Sequence, residues 1–280
     1  MLDKCTTKSW ETSLYEPQQL YYNLMGEKIL TDKNVKSAYY MAKHKQSCDS
    51  PAWDGMTRTI LIDGMEQDQA WSLIRYHILH GPSDCVKRFD IPKSNGKTRP
   101  ISIYPLLDRV AQWCIMGPLS KACGPLLSPI NHAFQKGKSC KTAFEAFPPA
   151  GEAGYVICGD IHSFFDTVSH SLVRACLWSA GIRDSQLLHT INVTLKTPYK
   201  YPKQPKVRPE QGLPQGAPIS PLLANIILAY MDRYFVSLYG DQKLPRTVRY
   251  ADDFVIFCTD RKQAMTVQTQ MTWFIKYPLR

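Results

Sequence analysis

The sequence predicts an α+β fold, an antiparallel sheet with helices on one face. Three observations carry this expectation. The segments "TVRY" and "FVIFC" flank "ADD" at 251–253 and read as a β-hairpin. "VKRFDIPKSNGKTRPISIY" at 86–104 reads as a second pair of strands around a turn at Ser94–Asn95–Gly96. Between the two pairs lies "PISPLLANIILAYMDRYF", a strong amphipathic helix. The order helix, strand, helix, hairpin segregates helices from an antiparallel sheet.

Taken along the chain, residues 16–45 read as helical, with apolar and aromatic residues at mixed three- and four-residue spacing. "SCDSPAWDGMT" at 47–57 is rich in turn formers and reads as a linker. A helix is predicted at 66–80 and a buried helix at 105–124, with Pro105 near its start. A basic loop and short helix follow in "NHAFQKGKSCKTAFEAF". Tyr155 to Cys158 reads as a buried strand that breaks at Gly159–Asp160, with a helix from Ser169. The segment 196–210, with four prolines, reads as an extended loop or hairpin. The amphipathic helix starts near Ser220 with Pro221 in its first turn, and a last helix is predicted at 261–275.

The bulk composition narrows the class. With 280 residues and 44% hydrophobic content, the chain can bury a core and is not a disordered polymer. Its net charge of +10 favours a polyanionic partner, of which nucleic acid is the commonest. Nine cysteines without a CxxC pair argue against a disulfide framework or a zinc module and for reduced thiols. The N-terminus lacks a signal-peptide apolar region, and the longest nearly apolar run, 219–231, is too short to span a bilayer. A soluble, cytoplasmic protein with no membrane partner is expected.

The chemistry begins with the paired carboxylates Asp252 and Asp253. A solvated turn explains "ADD" alone as well as a metal site does. Neighbouring strand residues point to opposite faces, so one of the pair is expected to be the primary ligand. Asp160 ends an apolar β run, and a sheet could bring it to the hairpin. Converging carboxylates repel unless a cation lies between them. Two Mg²⁺ ions would remove that penalty and clamp both oxygens of a phosphoryl transfer, and hard oxygen donors suit them.

At these residues the chain resembles reverse transcriptases of the bacterial group II intron and retron type. "YADD" (250–253) matches their signature hairpin. "DIHSFFD" (160–166) resembles their first palm motif and "QGLPQGAPISPLLANIIL" (211–228) their second. "IPKSNGKTRPISI" (91–103) with "DRVAQ" (108–112) resembles their fingers motif. "WDGMT" (53–57) and "FQKGKSCKTAFEA" (134–146) look like further segments of the intron proteins. The resemblance runs from about residue 30 to 270.

The resemblance implies a right-hand polymerase of fingers and palm. Residues 1–50 would be a helical extension, 51–150 fingers, and 151–280 palm with a fingers-like insertion at about 171–210. It implies RNA-directed DNA synthesis with dNTPs, an RNA template and a DNA or RNA primer. Asp160, Asp252 and Asp253 would be catalytic, Asp160 and Asp252 as the main holders of the ions and Asp253 assisting. Asp160, Ile161, Asp252 and Asp253 would face two Mg²⁺ ions, with Mn²⁺ as a substitute. Lys93, Arg99, Ile161, Phe165 and Gln215 would bind the dNTP, Phe165 as the bulky residue that rejects a ribose 2′-OH. Lys97 is a candidate template contact. The reading from the residues alone leaves Phe165 as core, and the Lys93–Arg99 turn as a solvated turn, open.

In the family, a lysine-bearing palm motif, a primer-grip hairpin and a helical thumb follow "YADD". This sequence ends at Arg280, so a fold with the thumb absent is expected. Weak or no processive synthesis is then expected of the chain alone, unless a partner supplies the thumb. Two other readings stay open at this stage. One is a retron or phage-defence reverse transcriptase with its own noncoding RNA, in place of a cognate intron RNA. The other is a non-catalytic maturase remnant that holds intron RNA. Phe165 disfavours an RNA polymerase.

Overall fold

The computed structural model describes residues 14–45, 48, 52–92, 96–240 and 243–277. A π-helical turn at Met25–Ile29 precedes helices α1 (Asp32–His44), α2 (Arg58–Ile62) and α3 (Gln67–His80). Strands β1 (Val86–Pro92) and β2 (Thr98–Ile103) lead into α4 (Leu106–Ala122). Then come α5 (Cys140–Glu145), β3 (Tyr155–Asp160), α6 (Phe164–Thr167), α7 (His170–Ser179) and α8 (Ser185–Leu195). The order closes with β4 (Tyr199–Lys200), α9 (Ser220–Tyr239), β5 (Arg246–Tyr250), β6 (Asp253–Cys258) and α10 (Arg261–Lys276). Side-chain caps fix several helix starts: Ser139 forms a capping box with Thr142, and Ser169, Asp184 and Asp260 accept from main-chain N–H groups of the first turn.

The chain forms two compact units. One comprises Leu20–Ala122 and Ile182–Ser220. Its sheet has the order β2-β1-β4, with β1 and β2 antiparallel and β1 and β4 parallel at Val86↔Tyr199 and Lys87↔Lys200. α4 packs against α1 and α3. Leu106, Val110, Cys114, Ile115 and Leu119 on α4 are each 1% exposed or less, which makes it the central helix of this unit.

The other unit comprises Met1–Gln19, Cys123–Gly181 and Pro221–Arg280. Its antiparallel sheet has the order β3-β6-β5. The central strand β6 is buried on both sides. Val248 and Phe257 share one face and pack with Ala143 of α5 and Leu244, whereas Phe254, Ile256 and Cys258 bury the other. α5 lies on the face that carries Val248 and Phe257. α10 packs on β3 and β6.

The α+β class holds, and the helices at 66–80, 105–124 and 261–275 and both antiparallel strand pairs are present. Ser94 and Asn95 of the first turn lie outside the described residues; Gly96 adopts φ +77°. Two expectations are corrected. Residues 16–23 are not helical: Tyr21 bridges Ile182, and its carbonyl accepts from the Arg183 N–H at 2.8 Å, so pairing overrides local propensity. β3 is neither buried nor broken at Gly159. Among the described residues it lies at an edge of the sheet, with Tyr155 and Val156 at 47% and 51% exposure, and its pairing with β6 runs through Asp160. Gly159 is required there, because a Cβ would lie 2.2 Å from the Phe254 ring. Among the described residues no helix is long and apolar enough to cross a membrane.

Candidate active site

The carboxylates meet at one end of the β3-β6-β5 sheet. Asp160 closes β3, and its register partner on β6 is Asp253, which also pairs with Tyr250 of β5. Directly opposed residues of an antiparallel pair present their side chains on one face, with Cβ atoms about 4.5–5.5 Å apart. The register therefore sets Asp253, rather than Asp252, opposite Asp160. Asp252 sits in the turn, and its carbonyl accepts from the Ile161 N–H at 3.4 Å, which ties the hairpin tip to the chain leaving β3. The tip turns at Ala251, which adopts φ +57°.

The electrostatics agree with the geometry. Burial pushes the Asp253 carboxyl above the ordinary carboxylate range, and the neighbouring charge of Asp160 pushes it further. A cation placed between the two would relieve both effects. Among the described residues no three His, Cys, Asp or Glu side chains gather around one point. A hard cation held by two carboxylates at a sheet end takes its remaining ligands from water or from substrate phosphates, the usual arrangement for Mg²⁺. The donor set thus fits a divalent oxygen-loving ion. The Ile161 side chain is buried, so only its main chain can face such an ion.

Phe164 and Phe165 open α6 just beyond Asp160. Phe164 is core at 2% exposure and Phe165 is half-buried, with the two rings edge to face at 6.0 Å. Ser163, before them, is left-handed at φ 52°, and this bends the chain away from β3. His162 is exposed on the same bend.

The other expected contacts belong to the unit containing β1 and β2. Lys93 lies outside the described residues. Arg99 is exposed on β2, opposite Ile91. The main chain of Gln215 is docked on that strand, since its carbonyl accepts from the Ser102 N–H at 2.7 Å. Gly216 makes this approach possible: at φ +107° it leaves no room for a side chain, and a Cβ would stand 2.2 Å from the Ser102 carbonyl oxygen. The 196–210 segment is a hairpin, with Tyr199 and Val207 exchanging two 2.8 Å main-chain bonds. Lys200, from this hairpin, and Lys87 lie over the Trp53 ring at 5.8 and 5.6 Å. Tyr201 donates to Asp90, and Lys206 pairs with Asp84.

Two buried charges escaped sequence reasoning. Arg249 and Asp232 form a forked ion pair inside the unit that carries the aspartates, and both side chains are 1% exposed. The available signal was weak. Asp232 interrupts the apolar stripe of α9 one turn after Leu228, and Arg249 interrupts β5 beside Val248.

Comparison with known proteins gives the chain a family. The family model for "Reverse transcriptase (RNA-dependent DNA polymerase)" matches residues 91–280. The chain is 30% identical over 165 residues to the putative COX1/OXI3 intron 1 protein of Saccharomyces cerevisiae, covering 58% of this chain and 20% of that protein. It is 30% identical over 232 residues to protein YkfC of Escherichia coli, covering 80% of this chain and 59% of that protein. It is 31% identical over 159 residues to the group II intron-encoded protein LtrA of Lactococcus lactis, covering 55% of this chain and 26% of that protein. The chain therefore spans about a fifth to three fifths of the length of these relatives.

Proposed function

We propose, from the premise that this chain belongs to the reverse transcriptase (RNA-dependent DNA polymerase) family, that its aspartate cluster performs RNA-templated DNA synthesis. The observation that carries the reading is the placement of Asp160 directly opposite Asp253, with Asp252 in the adjoining turn. The unit containing β3, β6 and β5 is read as palm, and the unit containing β1 and β2 as fingers.

Asp160, Asp252 and Asp253 would hold divalent cations, Mg²⁺ by the hardness of the donors and Mn²⁺ as a substitute. When bound, these ions supply Lewis acidity at the primer 3′-OH and at the departing phosphates. The residues do the rest by placement. The carboxylates fix where the α-phosphate meets the 3′-OH, and the main chain of Ile161 borders that point. Phe165 occupies the space that a ribose 2′-OH would need. Gln215, held by Ser102, faces the incoming nucleotide. Arg99 and Lys93 meet the triphosphate, Arg99 through a fork and Lys93 as a point charge. Template, primer and dNTP are the substrates, and Lys87, Lys200 and Trp53 offer a basic and aromatic surface suited to RNA. The likeness to LtrA supports a group II intron RNA as cognate partner.

Primer extension on an RNA template tests the reading. Asp160→Ala and Asp252→Ala each lower dNTP incorporation by about 10³-fold or more while RNA affinity stays near that of the unaltered chain. Incorporation that survives either change removes the cluster from the chemistry.

A further inference from the structure

The buried ion pair is built to do more than fill the core. Arg249 Nε donates to Asp232 Oδ1 at 2.7 Å and its terminal nitrogen to Oδ2 at 2.6 Å. The remaining terminal nitrogen donates to the carbonyl of Ala251 at 2.7 Å. Ala251 is the left-handed residue at the tip of the hairpin, and Asp252 and Asp253 follow it. The main chain of Arg249 is anchored as well: its N–H donates to Ile130 and its carbonyl accepts from His132, both at 2.8 Å. One residue thus ties α9, the 130–132 segment and the hairpin tip together.

We propose that Arg249 is a positioning residue for the aspartate cluster, its guanidinium oriented by Asp232 and fixing the Ala251 carbonyl so that the turn presents Asp252 and Asp253. This rests on the reading of the cluster as a cation-dependent polymerase centre. The chemistry requires a guanidinium. A planar fork spends two donors on one carboxylate and still aims a third along a fixed direction, whereas an ammonium on a flexible stem cannot hold that geometry. Ala251 also needs such a hold. A non-glycine residue at positive φ is disfavoured, and it persists where the surroundings determine it. If the pair served stability alone, an apolar replacement would be an adequate substitute, since buried ion pairs often yield to well-packed hydrophobic residues without loss of fold.

Three variants separate positioning from packing: Arg249→Lys, Arg249→Met, and the double change Arg249→Met with Asp232→Leu. Each is measured for thermal unfolding, Mn²⁺ affinity by electron paramagnetic resonance, primer-template affinity, and kcat and KM in primer extension. The double variant is expected to unfold near the temperature of the unaltered chain. Its Mn²⁺ affinity falls about 10-fold or more and kcat about 10²-fold, with primer-template affinity unchanged. Arg249→Lys, which keeps the charge toward Asp232, shows the same loss of kcat and Mn²⁺ affinity. Unaltered kcat and Mn²⁺ affinity in the double variant overturn the proposal, and so does failure of all three variants to fold, which would make the pair purely structural. An unaltered chain that binds Mn²⁺ through Asp253, shown by loss in Asp253→Asn, but adds not even a single dNTP to a saturating pre-annealed primer-template sinks the polymerase reading alone. The Mn²⁺ comparison still decides the role of Arg249 in that case.

Discussion

Phe164 and Phe165 are neighbours in the chain and differ in environment, one fully in the core and the other half-buried. Their truncations should separate cleanly. Phe164→Ala costs about 3–5 kcal/mol of stability through the cavity it leaves, read by denaturant unfolding. Phe165→Ala leaves a folded protein whose preference for dNTP over rNTP falls on the order of 10-fold or more, read by paired incorporation assays. The thiols divide in the same manner. Burial pushes Cys114 and Cys123 up to about 12, while Cys140 and Cys158 are exposed. Iodoacetamide at mild alkaline pH should therefore label Cys140 and Cys158 in the native protein and reach Cys114 and Cys123 only on unfolding. That a sheet could bring Asp160 to the Asp252–Asp253 hairpin was legible in the sequence, because Asp160 ends one apolar β run and the paired aspartates open another. Arg249 and Asp232 were not, because a buried charge looks like a surface charge until its partner, 17 residues away, is placed beside it.

At the scale of elements, two local devices set what the larger pieces can do. The loop carrying Gln215 is held to β2 only because Gly216 has no side chain. Gly216→Ala should cost about 1–3 kcal/mol from backbone conformation alone, more once Ser102 is displaced, and KM for dNTP should rise with it. α10 begins at Asp260, whose Oδ1 accepts from the Gln263 N–H at 2.9 Å and whose carboxyl is held below the ordinary range chiefly by that bond. A depressed carboxyl stabilises the folded form above its unfolded value, about pH 4, and loses that contribution as pH falls through the depressed value. Asp260→Ala should therefore lower the melting temperature at neutral pH, and the gap should close on acidification. Hairpins were legible because alternation and turn residues are local signals. β3 was misread because an apolar run such as Tyr-Val-Ile-Cys looks the same at the centre of a sheet and at its edge.

For the whole molecule, the chain leaves and re-enters its two compact units, with boundaries after Gln19, Ala122, Gly181 and Ser220. No composition shift marks those crossings, since each unit draws its core from distant stretches, and local reading cannot join them. What sequence shows at this scale is charge. With a net +10, binding to single-stranded RNA should weaken linearly in log-log salt titration, with a slope of about −0.7 for each phosphate neutralised. A salt-independent affinity would remove electrostatics as its basis.

The exposed margin formed by β3 bears on how the protein behaves in the tube. Among the described residues it lies at the rim of its sheet, with Tyr155 and Val156 uncovered and the Cys158 thiol accessible. Such a rim can accept a strand from another copy, and an accessible thiol can then lock the two together. Concentrated stocks without reductant should accumulate covalent dimers on non-reducing gels, and Cys158→Ser should slow their formation.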